Sequence, residues 1–149
     1  MKIKITHLSI LLIFVSLIGF GQSNPWSKAT NWQIHDVKKR QAFLIPLDSL
    51  KEVASIRLDD AKVNSFLSRA KELPKESNYF WIGLFVATCE TASGKPQKVI
   101  FSNYGGFLYD ERTKSYFEIP EEYRKEWLEY LNEKVTEMNA NIHKDGNRE

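Results

Sequence analysis

The sequence predicts an α+β domain: an antiparallel sheet of about four strands with two helices. Three observations carry this. Residues 79–119 hold apolar runs separated by the turn-rich stretches Thr91-Ala92-Ser93-Gly94-Lys95-Pro96 and Asp110-Glu111-Arg112-Thr113, a pattern of consecutive antiparallel strands. Residues 61–73 and 120–138 place apolar side chains at three-and-four spacing, the period of an amphipathic helix. The order is strand, helix, three strands, helix, without the regular alternation of a parallel βαβ chain.

At the N-terminus, residues 1–21 read as a secretory signal peptide. Lys2 and Lys4 form a basic start, residues 8–20 form an apolar core, and Gly19 and Gly21 suit cleavage after Gly21. The apolar core is shorter than the roughly 20 residues of a membrane span, so no stable membrane anchor is expected after cleavage. The remainder divides into an N-terminal extension (22–50) packing on the domain, an α+β domain (51–140) and a polar tail (141–149). Loss of Lys2 and Lys4 lowers Lys+Arg from 21 to 19, level with Asp+Glu at 19. A neutral mature chain lacks the basic footprint of a nucleic-acid binder. Cys89 is the only cysteine, so no internal disulfide forms. Small eukaryotic secreted domains usually carry several, and the expected location is therefore the bacterial periplasm or exterior.

Within the extension, residues 31–37 (Trp32 and Ile34 on one face) and 41–47 are either short strands or a strap with little regular structure. Pro46 confines the second run to an edge or a strand end. Residues 53–58 read as a strand. Asp59 or Asp60 then suits a helix N-cap, and Val63, Phe66, Leu67, Ala70 and Leu73 make the buried stripe of the helix 61–73, stopped by Pro74.

The strand 79–90 is apolar in both of its alternating sets, Tyr79, Trp81, Gly83, Phe85, Ala87, Cys89 and Phe80, Ile82, Leu84, Val86, Thr88. A strand wet on one side alternates; this one requires cover on both. Gly83 suits a bulge or a close backbone approach. The next strand, 97–109, has Val99 and Phe101 on one side and Ile100 on the other, and Gly105-Gly106 breaks or bends it. The last, 114–119, sets Tyr116 and Glu118 against Phe117 and Ile119. Pro120 and Glu121-Glu122 open the C-terminal helix, whose stripe is Trp127, Leu128, Leu131, Val135 and Met138, fraying near residues 139–141.

Two helices laid side by side cover one face of a four-stranded sheet. The second face must then be covered by the N-terminal segment 26–47, by one of the helices, or by a partner.

Few residues suggest chemistry. His35 pairs in principle with Asp36 or Cys89; Glu90 and Glu118 offer a carboxylate pair; Asp110, Glu111 and Glu118 offer oxygen ligands. Each has a plainer structural explanation, and one cysteine with two remaining histidines does not make a closed zinc site. No cofactor or metal is expected. The expectation is a small exported non-catalytic binding protein, of the inhibitor or immunity type, facing a protein partner through Trp81, Phe85, Tyr104, Tyr109 and Tyr116, since Tyr and Trp are enriched at binding hot spots. The alternatives are a small exported hydrolase and an assembly protein using strand addition.

Overall fold

The computed structural model describes residues 25–75 and 83–146. The expected signal peptide lies outside these residues, as do residues 79–82 of the expected strand 79–90, Trp81 among them. Among the described residues the chain is α+β, with one antiparallel sheet and a long C-terminal helix. The strands are β1 (Thr30–His35), β2 (Ser55–Arg57), β3 (Lys71–Glu72), β4 (Gly83–Glu90), β5 (Pro96–Ser102), β6 (Phe107–Asp110) and β7 (Ser115–Glu118). They lie in the order β2-β1-β4-β5-β6-β7-β3. The helices are α1 (Asp60–Leu67) and α2 (Glu121–Gly146).

The sheet has seven strands where the sequence predicts about four, and three physical effects account for the difference. First, the strand expected over 97–109 is two. Gly105 adopts φ +68°, its N–H bonds the Ser102 carbonyl at 3.2 Å, and the chain reverses completely. β5 and β6 then pair through Val99 with Asp110, Ile100 with Tyr109 and Phe101 with Leu108. Glycine tolerates this left-handed conformation because it has no Cβ.

Second, the first helix ends at Leu67 and does not continue to residue 73. Lys71 and Glu72 instead pair with Glu118 and Phe117, and the Leu73 N–H bonds the Tyr116 carbonyl at 2.8 Å. The open edge of β7 outcompetes a helical preference worth only tenths of a kcal/mol per residue. Third, β1 belongs to the sheet interior, between β2 and β4.

β1 enters the sheet through an irregular step. Its register against β4 shifts between Thr30 and Gln33, and Asn31 has φ +56°. The Asp60 carboxylate accepts from the N–H groups of Asn31 (3.1 Å) and Trp32 (3.0 Å) at this step. Asp59 is the N-cap of α1, accepting from the Lys62 N–H at 2.8 Å. Two adjacent carboxylates thus do separate work: one caps the helix, the other ties it to the sheet.

Alternation along the strands sorts side chains onto two faces. On one, Trp32, Ile34, Phe85, Ala87, Val99, Phe101, Leu108 and Phe117 meet Val63, Phe66 and Leu67 of α1 and Trp127, Tyr130 and Leu131 of α2. Trp26 joins this core, its ring 4.5 Å from Phe117 edge-on. Both helices therefore lie on the same face. α2 runs on to Gly146, past the fraying expected near 139–141, because nothing between Glu121 and Gly146 breaks the helical pattern before that glycine.

The second face carries Val86 and Ile100, covered by Ala42 and Leu50 with Val37, Ile45, Leu47, Val53 and Tyr109 around them. The cover is residues 37–53, here called the strap. It consists of two 3-10 turns, Lys39–Gln41 and Leu47–Glu52, and irregular chain, with no strand over 41–47. The N-terminal segment is thus divided: Trp26 and Trp32 go to the helix face and the strap goes to the other. Gly83 sits under the strap. A Cβ there would lie 2.7 Å from Ile100 Cγ2 and 2.9 Å from Phe43 Cε2, and the β4–β5 register shifts beside it.

Candidate functional site

The register of β5, β6 and β7 lines up one row of second-face side chains. Val86 opposes Ile100, Ile100 opposes Tyr109, and Tyr109 opposes Tyr116. The Tyr109 and Tyr116 rings are 4.8 Å apart and tilted. Phe43, from the strap, packs on Tyr109 at 5.7 Å. Phe107 stands two residues from Tyr109 on the same face of β6, and Tyr104, in the β5–β6 turn, meets Phe107 edge-on at 6.2 Å. Two aromatic groups, Phe43–Tyr109–Tyr116 and Phe107–Tyr104, therefore share this face through the alternation of β6, and are here together called the aromatic track. Phe43 is 42 %, Leu44 beside it in the chain 78 % and Tyr104 46 % exposed, while Tyr109 and Tyr116 are half-buried. Burial, helped by Tyr116, Glu111 and Asp110, raises the Tyr109 phenol above its ordinary range, so it is a neutral donor at neutral pH.

The rim of the track is charged and fixed. Arg124 of α2 lies 5.9 Å over the Phe107 ring, donates from Nε to the Ile119 carbonyl (2.8 Å) and from Nη2 to Glu118 Oε1 (2.6 Å). Gly106 lets the guanidinium in: a Cβ there would stand 3.2 Å from Arg124 Nε. Toward the strap, Lys98 is wholly buried. Its Nζ donates to the Ile45 carbonyl at 2.6 Å and to Glu111 Oε1 at 3.1 Å. A desolvated ammonium is tolerated only when it is paired and hydrogen-bonded, and here it fastens the strap to β5.

Of the residues the sequence singles out for binding, Tyr104, Tyr109 and Tyr116 come together on this track. Phe85 does not. It faces α1 and α2 at 4 % exposure, because beyond the register shift after Gly83 the side chains of Phe85, Ala87 and Cys89 point to the helices. Trp81 lies outside the described residues. Phe43 joins the track and Leu44 beside it is exposed, although the sequence suggests an extension that packs its apolar run on the domain. Their only signal is apolar character, which in isolation implies burial.

The residues considered for chemistry are held apart. His35 opposes Val86 on the second face, whereas Cys89 joins the helix-face core, so the sheet separates them. Glu90 pairs with Pro96 at one end of β4; Glu118 pairs with Phe107 three strands away at the other end of the sheet. Three inter-strand spacings alone amount to about 14 Å, beyond the roughly 6.5–9.5 Å of an inverting glycosidase pair. Asp110 faces the helix side and bonds the Arg112 N–H at 2.9 Å, while Glu111 pairs with Lys98 and Glu118 with Arg124. No cluster of three or more His, Cys, Asp or Glu side chains capable of holding a metal occurs among the described residues.

Comparison with protein-family models, with curated proteins and with solved structures finds no match. The site is therefore read from its own geometry. Rigid aromatic rings on paired strands, backed by a packed core, lose little conformational entropy on contact with another surface. Such a surface suits recognition.

The edges of the sheet bear on the alternative of strand addition. They are β2, Ser55–Arg57, and β3, Lys71–Glu72. Both are very short, and both present charge, two features that discourage edge pairing. No described helix is long and apolar enough to cross a membrane.

Proposed function

We propose that this chain is a small exported, non-catalytic binding protein that engages a protein partner, of the inhibitor or immunity type, through its aromatic track. The reading rests on one observation above the others: Phe43 and Tyr104, members of two ring groups on one face, and Leu44 beside Phe43 in the chain are exposed. Large apolar side chains standing together on a surface mark interaction sites more often than scattered ones do. The signal-like residues 1–21 support export, and the bacterial periplasm or exterior is the compartment proposed.

The test uses the purified protein as bait against periplasmic and secreted fractions, beside a Leu44→Ser, Tyr104→Ser variant. Both positions are exposed, so the fold should be unchanged. A specific partner captured by the wild type should be lost or weakened at least about 30-fold with the variant, as expected for a hot spot of about 2 kcal/mol. Capture that is equal for both proteins, or no specific partner under several conditions, would reject the reading.

A further inference from the structure

Charge divides this molecule by layer. Beyond residue 21 the chain carries 19 Lys+Arg (21 less Lys2 and Lys4) and 19 Asp+Glu, so an excess of one sign on one surface is matched elsewhere. The acidic surface is α2. Glu121, Glu122, Glu126, Glu129, Glu133 and Glu137 are all exposed there, opposed over the same span only by Arg124, Lys125 and Lys134.

The tyrosine half of the second face has the opposite character. Glu118, two residues from Tyr116 on the same face of β7, is bonded to Arg124, and Glu111, in the β6–β7 turn, is bonded to Lys98. Both carboxylates are thus committed within the molecule. Three exposed bases stand beside them. Lys71 of β3 is directly opposite Glu118 and so shares its face. Arg112 and Lys114 occupy the turn that joins the strands of Tyr109 and Tyr116. None of the three makes an ion pair with a described residue. The strap and its base carry both signs, with Lys38 and Arg40 against Asp36 and Glu52, all exposed. The unbalanced positive charge therefore belongs to the tyrosine half of the track.

We propose that the partner meets Tyr109 and Tyr116 with an acidic protein segment, whose Asp or Glu side chains face Lys71, Arg112 and Lys114 while apolar side chains between them pack on the two rings. This rests on the binding role proposed above and names the chemistry of the partner. Carboxylates arriving here gain Coulomb attraction without displacing an existing pair, whereas a basic segment meets three like charges. The α2 glutamates add direction, since an acidic partner is repelled from the helix layer and drawn to the sheet layer. Three bases are few for a nucleic acid, whose binders commonly neutralise about 6–10 phosphates.

The test selects peptides of about 12 residues from a random displayed library against the full chain at about 50 mM salt, then measures synthetic copies of the enriched peptides in solution. They should carry Asp or Glu beside Leu, Phe or Tyr, and shift the amide resonances of β6 and β7. Replacing their acids by Asn and Gln should weaken binding about tenfold. In the protein, Arg112→Ser with Lys114→Asn removes two charges and keeps the turn, since asparagine tolerates the φ of +57° at 114. This variant should bind about fivefold more weakly at about 50 mM salt and equally at about 1 M. Neutral or basic peptides that shift β6 and β7 overturn the acidic partner and leave the track standing as a binding surface. Peptides that shift neither these strands nor the strap overturn both, as does an empty selection. Equally tight binding of a single-stranded DNA of about 12 nucleotides overturns the proposal in favour of a nucleic acid. Salt-sensitive self-association of the wild type, lost in the double variant, overturns it in favour of a second copy presenting α2. If the double variant does not fold, the wild-type salt series decides: affinity for the acidic peptides unchanged between about 50 mM and about 1 M is fatal.

Discussion

Removing Glu111 should cost more stability than removing Lys98, although the lysine is the more deeply buried partner. The Lys98 side chain is 0 % exposed and that of Glu111 31 % exposed. Nζ has two acceptors among the described residues, the Ile45 carbonyl at 2.6 Å and Glu111 Oε1 at 3.1 Å. In Glu111→Leu the ammonium stays in its dry site with the carbonyl alone. Stranding a buried charge costs about 3–5 kcal/mol, and the partial wetting of Glu111 argues for the lower end. In Lys98→Met the abandoned carboxylate turns to water, while the Ile45 carbonyl loses its partner at about 1–3 kcal/mol. That loss is offset by the ammonium desolvation no longer required, and the methionine refills the apolar stem. The net expectation is about 1 kcal/mol for Lys98→Met against about 3 kcal/mol for Glu111→Leu. Urea unfolding at constant m-value measures both. A Lys98→Met variant at least as unstable as Glu111→Leu would refute the reasoning, since the ammonium would then be supported by something other than this pair.

Three further outcomes follow from the Gly105 turn and from the burial of Cys89. Gly105→Ala should lose about 2–3 kcal/mol, since φ is +68° and the added Cβ would sit 3.0 Å from the Arg124 carbonyl and 3.2 Å from Leu128 Cβ; thermal unfolding with a shift near zero would contradict the turn. Cys89, whose pKa burial pushes up to about 12, should resist aromatic disulfide reagents at mildly alkaline pH until denaturant is added. The same shift makes its contribution to stability complete below its ordinary value of 9.0 and lost as pH rises from there toward about 12. Cys89→Ala should flatten the alkaline decline, and a decline of unchanged slope would show that the thiol is not its source.

What the sequence reveals about this fold depends on whether the signal is periodic. β4 is apolar on both alternating sets, and that alone requires cover on two faces; the structure supplies helices on one and the strap on the other. The division of Phe117 and Ile119 from Tyr116 and Glu118 follows from the same period of two. β3 is invisible by this means. Ala70 and Leu73 continue the helical stripe of Val63, Phe66 and Leu67, and only the open edge of β7 decides that Lys71 and Glu72 extend as a strand. The β5–β6 reversal is half legible: Gly105-Gly106 signals a break, but a bend and a hairpin differ by one positive φ that composition does not fix.

The candidate site divides along the same line. Tyr109 and Tyr116 are separable from the core by alternation, yet their meeting at 4.8 Å depends on register, which two turns jointly set. Phe43 and Leu44 carry the opposite difficulty. In residues 41–47 five apolar residues imply a segment packed on the domain, but a chain closed by short 3-10 bonds presents side chains all around its axis. Ala42 turns inward against Val86 and Ile100, and Leu44, two residues on, is left in water. The strap thus seals the second face with Ala42 and Leu50, flanked by Val37, Ile45, Leu47 and Val53, yet leaves Phe43 and Leu44 exposed. A segment selected only to cover β4 would be expected to bury Leu44 and expose Ala42. The inversion is the feature of this molecule that hydrophobic packing alone does not explain, and it supports the proposal that the track serves recognition.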